Sequence, residues 1–321
     1  MEKKQTDSHG ELNNNILVIV GPTSSGKTSL ALDIAKKTDS AIISADSRQI
    51  YKEMDVGTGK VPINSAVVIS RGESKWIIDD VEVYGYDLAT PEQYFSAYDY
   101  AVFALSTINE LLKKGKKIIM TGGTGFYIDL VTAAKILNSK APDFQLRGEL
   151  EKQNLSSLVE QLKTIAPDEA RNVDLANRVR VIRALEKILS TNESIPLPTL
   201  RDVTFSYYGL IANHAHLYAR ADSWVDTVWH MDLLEETAKL AQKYGDCLRL
   251  QGVVYKTAFA ALQGALDMPT AIQQTKWDLH AYIRRQLTWF KKNKNIHWLN
   301  IADCSREKCI IEISTPWINK S

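Results

Sequence analysis

The sequence has few cysteines, almost no net charge and no long apolar run, and each of these absences excludes a class of protein or a kind of site. Its three cysteines are too few and too scattered for a disulfide framework or a zinc site. A formal net charge of +1 gives no overall attraction to nucleic acid, so a polyanion would need a local patch. No uncharged apolar run reaches the roughly 18 residues of a membrane span. We therefore expect a cytoplasmic protein without membrane contact, with residues 1–13 as a disordered tail and not a signal peptide.

A phosphate-binding loop follows the first apolar segment. Residues 16–20 read ILVIV, and residues 21–28 read GPTSSGKT, which matches the pattern G-x-x-x-x-G-K-T in its required context of strand and helix start. The backbone N–H groups of such a loop turn towards an anion, and Lys27 adds a positive charge. The Thr28 hydroxyl can hold Mg²⁺ at the helix N-terminus. The sequence therefore predicts a site for a diphosphate or triphosphate.

Two further apolar segments, at 41–45 and 117–120, are each followed by a polar or glycine-rich loop. Alternating apolar strands and helices predict a parallel sheet with helices on both faces. Ligands of such sheets bind beyond the carboxyl ends of the strands, so the loops should meet in one crevice. Asp46, which follows the segment 41–45, is then a Mg²⁺ ligand, a general base or a carboxylate that only caps its turn.

The rest of the chain divides by pattern. Residues 90–93, TPEQ, predict a helix start, and a helix should end near 113–115. Residues 61–85 show no clear periodicity, whereas residues 141–190 are polar and helical without strand signals. We expect an α/β protein with a P-loop parallel sheet core and an α-helical insertion domain. The predicted boundaries are 14–138 and 203–303 for the core, 139–202 for the insertion and 304–321 for a C-terminal extension.

Two helical segments carry cations on one face. Lys276, His280 and Arg284 lie at four-residue spacing, and a second stripe consists of Arg180, Arg183 and Lys187. Such stripes are most often solvated helix faces. Two of them, with tryptophans and tyrosines near the first, favour a polyanionic partner, although the signal is weak by itself.

Several separated segments together resemble the tRNA dimethylallyltransferases, also called tRNA isopentenyltransferases. Beyond the phosphate loop, the most specific match is the stretch from Asp46 to Thr58, DSRQIYKEMDVGT. The resemblance spans roughly residues 16–300 and is carried by the segments 21–28, 44–51, 54–60, 122–127, 182–186 and 285–290.

The resemblance implies transfer of a dimethylallyl group from dimethylallyl diphosphate to the N6 amine of adenosine 37, beside the tRNA anticodon. It implies Asp46 as the base for that amine, Thr23 near the bridging oxygen, Lys27 on the developing charge and Mg²⁺ at Thr28. The diphosphate would be bound by Gly21, Pro22, Thr23, Ser24, Ser25, Gly26, Lys27, Thr28 and Arg284. The anticodon stem-loop would be contacted by Asp46, Ser47, Arg48, Gln49, Thr124, Arg147, Val179, Arg180 and Arg183. The family also suggests a monomer.

The chain departs from the family pattern at several positions, and two of these departures concern the predicted site residues. An Arg aimed at the diphosphate is usual where His280 stands, and Arg284, one turn further, is its expected substitute. A Gln is usual where Val179 stands. Two alternatives therefore remain. One is an adenylate prenyltransferase or small-molecule kinase with the same loop, which would need no RNA-gripping insertion. The other is a tRNA-binding relic that has lost its chemistry.

Overall fold

The computed structural model describes residues 14–60, 63, 68–132, 143–192, 196–245 and 247–319. The predicted tail at residues 1–13 lies outside these ranges. The chain divides into two units: residues 1–135 with 198–321, here called the core unit, and residues 136–197, here called the insertion unit. The sequence-based boundaries of the insertion, 139 and 202, fall a few residues further along the chain.

One sheet organises the core unit. Its strands are β1 (Asn14–Val20), β2 (Ser40–Ser44), β3 (Val68–Arg71), β4 (Lys75–Ile78), β5 (Val81–Tyr84), β6 (Lys117–Gly122), β7 (Val203–Ile211) and β8 (His297–Asn300). The strand order is β3-β4-β5-β2-β6-β1-β7-β8. Pairing is parallel from β5 to β8, while β3, β4 and β5 pair antiparallel at one edge. The predicted α/β fold is confirmed, and the unpatterned stretch 61–85 contributes the antiparallel edge.

In the core unit, the described α-helices lie between the strands, with four of them in succession between β7 and β8 and one after β8, and in the insertion unit they are consecutive. They are α1 (Lys27–Thr38), α2 (Ala97–Lys113), α3 (Gly125–Val131), α4 (Phe144–Glu151), α5 (Leu155–Ile165), α6 (Pro167–Asn172), α7 (Arg178–Leu189), α8 (His214–His230), α9 (Leu233–Tyr244), α10 (Val253–Leu262), α11 (Met268–Phe290) and α12 (Arg306–Ile318). A short 3-10 helix, Leu248–Gln251, precedes α10. None of these helices is both long and apolar enough to cross a bilayer.

The prediction of a helix start at residues 90–93 is wrong. The Gln93 side chain does accept a hydrogen bond from the Thr90 N–H, at 2.8 Å, but the chain does not continue as a helix. Helix α2 begins at Ala97 instead, because Ser96 and Asp99 form a capping box there. The predicted end of this helix is confirmed at Lys113, with Gly115 in the left-handed region beyond it.

The insertion unit has an apolar core of its own. Helices α4, α5 and α7 contribute Leu150, Leu158, Leu162, Val181 and Leu185, all of which are buried. None of the residues described in this unit lies in a strand, as the pattern at 141–190 predicts. The charged side chains of this unit are therefore carried by a small helical bundle with its own hydrophobic support.

The predicted C-terminal extension packs on the sheet core. In α12, the side chains of Ile313 and Trp317 are fully buried, and the Trp317 indole N–H donates to the Asn15 carbonyl at 2.8 Å. Arg306 pairs with Asp33 of α1. Helix α12 thus supports α1, the helix that begins at the phosphate loop.

Candidate active site

The phosphate loop joins β1 to α1 in the conformation that an anion site needs. Gly26 has φ 85°, a backbone conformation that side chains disfavour, and it directly precedes the first residue of α1. Lys27 is 9% exposed, and its ammonium group donates to the Pro22 carbonyl at 3.2 Å. Burial lowers the pKa of Lys27, and the carboxylate of Asp46 opposes that shift. An incoming phosphate would meet a buried positive charge at a helix N-terminus.

The loop that contains Asp46 follows the carboxyl end of β2 and is hydrogen-bonded to the loop after β6. The Asp46 Oδ1 accepts from the Arg48 N–H at 2.9 Å, and the Thr124 hydroxyl oxygen accepts from the Ser47 N–H at 2.9 Å. Gln49 is buried, where its amide accepts from the Ser44 hydroxyl at 2.8 Å and donates to the Gly59 carbonyl at 3.1 Å. One of these bonds holds an oxygen of the Asp46 carboxylate, and the others fix the residues that precede and follow Arg48 in the same loop.

A single cavity of about 520 Å³ in the core unit connects the two loops. Among the predicted site residues, it is lined by Thr23, Ser24, Gly26, Lys27, Thr28, Asp46, Ser47, Arg48 and Gln49. Gly21, Pro22, Ser25 and Thr124 are not part of this lining, and Gly21 packs closely against Leu210 of β7. The lining combines the polar residues of both loops with apolar side chains such as Ile42, Ile78 and Leu279. This combination suits a ligand that has both a charged and an apolar part.

Gln286 is a site residue that sequence reasoning missed. It is 5% exposed; its amide oxygen accepts from the Thr23 N–H at 2.8 Å, and its amide nitrogen donates to the Gly123 carbonyl at 3.0 Å. One side chain of α11 therefore ties the phosphate loop to the loop after β6. The available signal was a polar residue on the apolar stripe of α11, beside Ile283 and Leu287.

Arg220 of α8 is the second missed residue. Its Nε donates to the Ser24 carbonyl at 2.8 Å, and its guanidinium lines the cavity beside Gly26. It adds a cation to the phosphate end of the cavity. Nothing in the local pattern of α8 marks this arginine, because its role depends on a contact nearly 200 residues away in sequence.

The expectation for Arg284 and His280 needs correction. Neither side chain lines the cavity. An Arg284 nitrogen donates to the Tyr218 hydroxyl at 2.9 Å, and His280 shares a hydrogen bond with Asp222 at 2.8 Å. The His280 ring also stacks on Tyr218, with ring centroids 4.0 Å apart. Both side chains contact α8 and so help to pack α11 against it. The arginines of these two helices that do line the cavity are Arg220 of α8 and Arg285 of α11.

The predicted RNA contacts of the insertion unit divide into an inner and an outer set. Arg147 is 7% exposed, and its Nε donates to Glu186 at 3.2 Å. Arg183 also pairs with Glu186, at 2.8 Å. Arg147 is therefore an internal residue, and the expectation that it contacts RNA directly needs correction. Val179 and Arg180 are exposed at the start of α7.

The possible metal ligands near the phosphate loop suit Mg²⁺ bound together with a phosphate group, and not a metal ion that is held by protein side chains alone. Among the described residues, no group of three or more His, Cys, Asp or Glu side chains could hold a metal ion. The Thr28 hydroxyl lines the cavity at the start of α1. Mg²⁺ commonly uses one or two protein oxygens together with phosphate oxygens and water. A hydroxyl ligand plus a bound diphosphate satisfies that preference.

A glycine-bounded loop between a buried strand and a helix, with a carboxylate from the next strand facing it, places the protein in the class of P-loop α/β proteins. Within this class, the chain belongs to the IPP transferase family, whose model matches residues 49–293.

Curated relatives match nearly the whole chain. It is 34% identical over 311 residues to a tRNA dimethylallyltransferase of Acetivibrio thermocellus, covering 93% of this chain and 96% of that protein. It is 32% identical to a tRNA dimethylallyltransferase of Staphylococcus epidermidis, over 95% of this chain and 92% of that one. Among solved structures, the full-length tRNA isopentenylpyrophosphate transferase of Bacillus halodurans superimposes with a TM-score of 0.68 at 30% identity, over 96% of each chain.

Proposed function

We propose that this protein transfers a dimethylallyl group from dimethylallyl diphosphate to the N6 amine of adenosine 37 in tRNA and releases diphosphate. The observation that carries the proposal is the cavity that the phosphate loop and Asp46 line together. A group transfer needs one cavity that binds donor and acceptor together, because the leaving group and the attacking amine must be held on opposite sides of the carbon that is transferred. Relatives named for this activity, similar over most of their length, support the same conclusion.

The phosphate end of the cavity would bind the donor. Loop N–H groups and the cations of Lys27 and Arg220 would face the diphosphate oxygens and stabilise the charge that develops as the diphosphate leaves. Mg²⁺, when bound at Thr28, supplies further neutralisation of that charge. Gln286 positions the Thr23 backbone by holding its N–H. We therefore assign Lys27 and Arg220 to leaving-group stabilisation and Gln286 to positioning.

The acceptor end would use Asp46. In the transfer, a bond forms between N6 of adenine and the allylic carbon, the bond from that carbon to the diphosphate oxygen breaks, and the diphosphate leaves with the electron pair. The N6 proton passes to the Asp46 carboxylate. Apolar side chains of the lining would hold the prenyl unit away from water. The adenine must leave its stack to reach the cavity, as base-modifying enzymes generally require.

The two alternative functions are less well supported. A kinase or adenylate prenyltransferase would not need the insertion unit, with its exposed cations on α7. The hypothesis of an inactive relic depended on His280 in place of an arginine, and His280 lies outside the cavity lining.

The test is incubation of the purified protein with labelled dimethylallyl diphosphate, Mg²⁺ and unmodified tRNA, followed by nucleoside analysis. We expect label on N6 of one adenosine next to the anticodon. Label in AMP without tRNA, or ATP hydrolysis, would favour the alternatives. No label in RNA at high enzyme concentration would contradict the proposal.

A further inference from the structure

An arginine and two tyrosines form a cluster outside the cavity lining. The Arg249 guanidinium carbon lies 5.5 Å from the ring centroid of Tyr94 and 5.8 Å from that of Tyr51. Its Nε also donates to the Tyr51 hydroxyl at 3.0 Å. Tyr51 is only 4% exposed and holds the arginine through this hydrogen bond, whereas Tyr94 is 39% exposed. We call Tyr94 and Arg249 the platform.

The platform is connected to the Asp46 side of the cavity. An Arg48 nitrogen donates to the Arg249 carbonyl at 3.2 Å, and the Arg48 N–H binds Asp46. Arg48 itself lines the cavity, as does Gly252, which directly follows the 3-10 helix that carries Arg249. Burial, followed by the nearby charges of Tyr51, Asp46, Asp99 and Tyr94, raises the pKa of Tyr127.

This chemistry suits an unpaired nucleotide. A half-exposed aromatic ring next to a fixed guanidinium offers a flat apolar surface and a positive charge, which match the face of a base and its phosphate. An acidic or apolar partner would use only one of these two properties. A base extruded into the cavity leaves its neighbours in the loop without a stacking partner, so a nearby ring can replace what the loop has lost.

We propose that Tyr94 and Arg249 form a stacking platform for a nucleotide adjacent to the adenosine that enters the cavity. This inference rests on the proposed function, because it needs an RNA acceptor. The competing explanation is a cation–π pair that only fastens residues 90–96 to the 3-10 helix. The two differ in what they predict for RNA binding, since a fastening pair would act on stability and not on the RNA.

The test measures the dissociation constant of an unmodified anticodon stem-loop for the wild type and for Tyr94→Leu, with Tyr94→Phe as the matched control. Stacking on an aromatic side chain is worth enough per base that Tyr94→Leu should weaken binding roughly 5- to 100-fold, while Tyr94→Phe stays within about twofold. The KM for dimethylallyl diphosphate should not change. Equal RNA affinity of Tyr94→Leu and wild type would overturn the platform.

A second experiment alters the RNA, and its first measurement uses only the wild-type protein. Stem-loops with an abasic site on either side of the target adenosine should bind the wild type more weakly at one of the two positions. Tyr94→Leu should show no additional loss with that RNA, because ring and base act as a pair. Full additivity of the two changes would contradict the proposal. Transfer by the wild type to the intact stem-loop is scored separately, so a failure of the proposed function appears as binding without product.

Discussion

Helices α11 and α7 carry similar stripes of cations, but the structure uses the two stripes differently. On α11, Lys276, His280 and Arg284 face partners at the same four-residue spacing on α8. The contacts are Lys276 with Asp226 at 2.7 Å, His280 with Asp222 at 2.8 Å and Arg284 with the Tyr218 hydroxyl at 2.9 Å. The stripe joins two helices, and two of its three side chains face carboxylates of α8 within the core unit.

On α7 the balance is different. Arg183 pairs with the buried Glu186, but the Arg180 side chain is 66% exposed and reaches only the exposed Asp174, at 3.9 Å. Lys187 is also exposed. A basic stripe on a helix therefore indicates a polyanionic partner only where no neighbouring helix supplies acids at a matching spacing. On the proposed function, the exposed Arg180 and Lys187 of α7 are therefore the better candidates for contact with RNA phosphates.

The largest expected effect comes from the inner ion pair of the insertion unit. Arg147→Met leaves the Glu186 carboxylate, 1% exposed, without its main buried partner, and breaking such a pair typically costs about 3–5 kcal/mol. Native-state hydrogen exchange of α7 should accelerate accordingly. The matched control is Arg180→Met, which should leave exchange unchanged. Slow exchange in Arg147→Met would mean that the pair does not support the unit.

The same pair predicts a pH dependence. Burial pushes the pKa of Glu186 up, but hydrogen bonds from Arg147, Arg183 and the Asp143 N–H outweigh burial and leave it below its ordinary value of 4.5. The unfolded state therefore binds more protons, so stability of the unit is full above pH 4.5 and is lost as the pH falls through the lower folded value. Exchange of α7 measured between neutral and acidic pH checks this. Glu186→Gln should abolish this part of the dependence, and an identical pH profile in that variant would contradict the assignment.

Removing the exposed cation should weaken RNA binding without changing stability. Arg180→Gln should raise the dissociation constant for tRNA and reduce the slope of its logarithm against the logarithm of salt concentration by about 1, as expected for one lost phosphate contact. Lys276→Gln is the control from the paired stripe and should leave the slope unchanged. If Lys276→Gln reduced the salt dependence of tRNA binding more than Arg180→Gln did, the stripe of α11 and not that of α7 would be the one that contacts RNA.

The smallest effect is expected on α11. His280→Gln keeps a hydrogen-bonding group towards Asp222 but loses the ring that stacks on Tyr218, so we expect a stability loss of about 0.5–1.5 kcal/mol. The transfer rate and the affinity for diphosphate should be unchanged, because His280 lies outside the cavity lining. Urea denaturation and steady-state kinetics check the two parts. A loss of affinity for diphosphate in this variant would show that His280 does contribute to the diphosphate site.

The local parts of the fold could be predicted from the sequence. The strand, loop and helix around Lys27 are contiguous, and Asp46 directly follows an apolar strand, so their shared edge follows from sheet geometry alone. Strands of four residues at the antiparallel edge are too short to show a period. Gln286 and Arg220 could not be placed, because each acts through a contact across most of the chain.

Single-turnover transfer by Asp46→Asn, compared with the wild type, tests most directly whether this carboxylate removes the proton from the attacking amine. The variant keeps the size of the side chain and an oxygen for the Arg48 N–H, so dimethylallyl diphosphate and tRNA should bind as before. Transfer should be slower by roughly 10²- to 10⁴-fold. A variant that transfers at the rate of the wild type would contradict the role of Asp46 as the base.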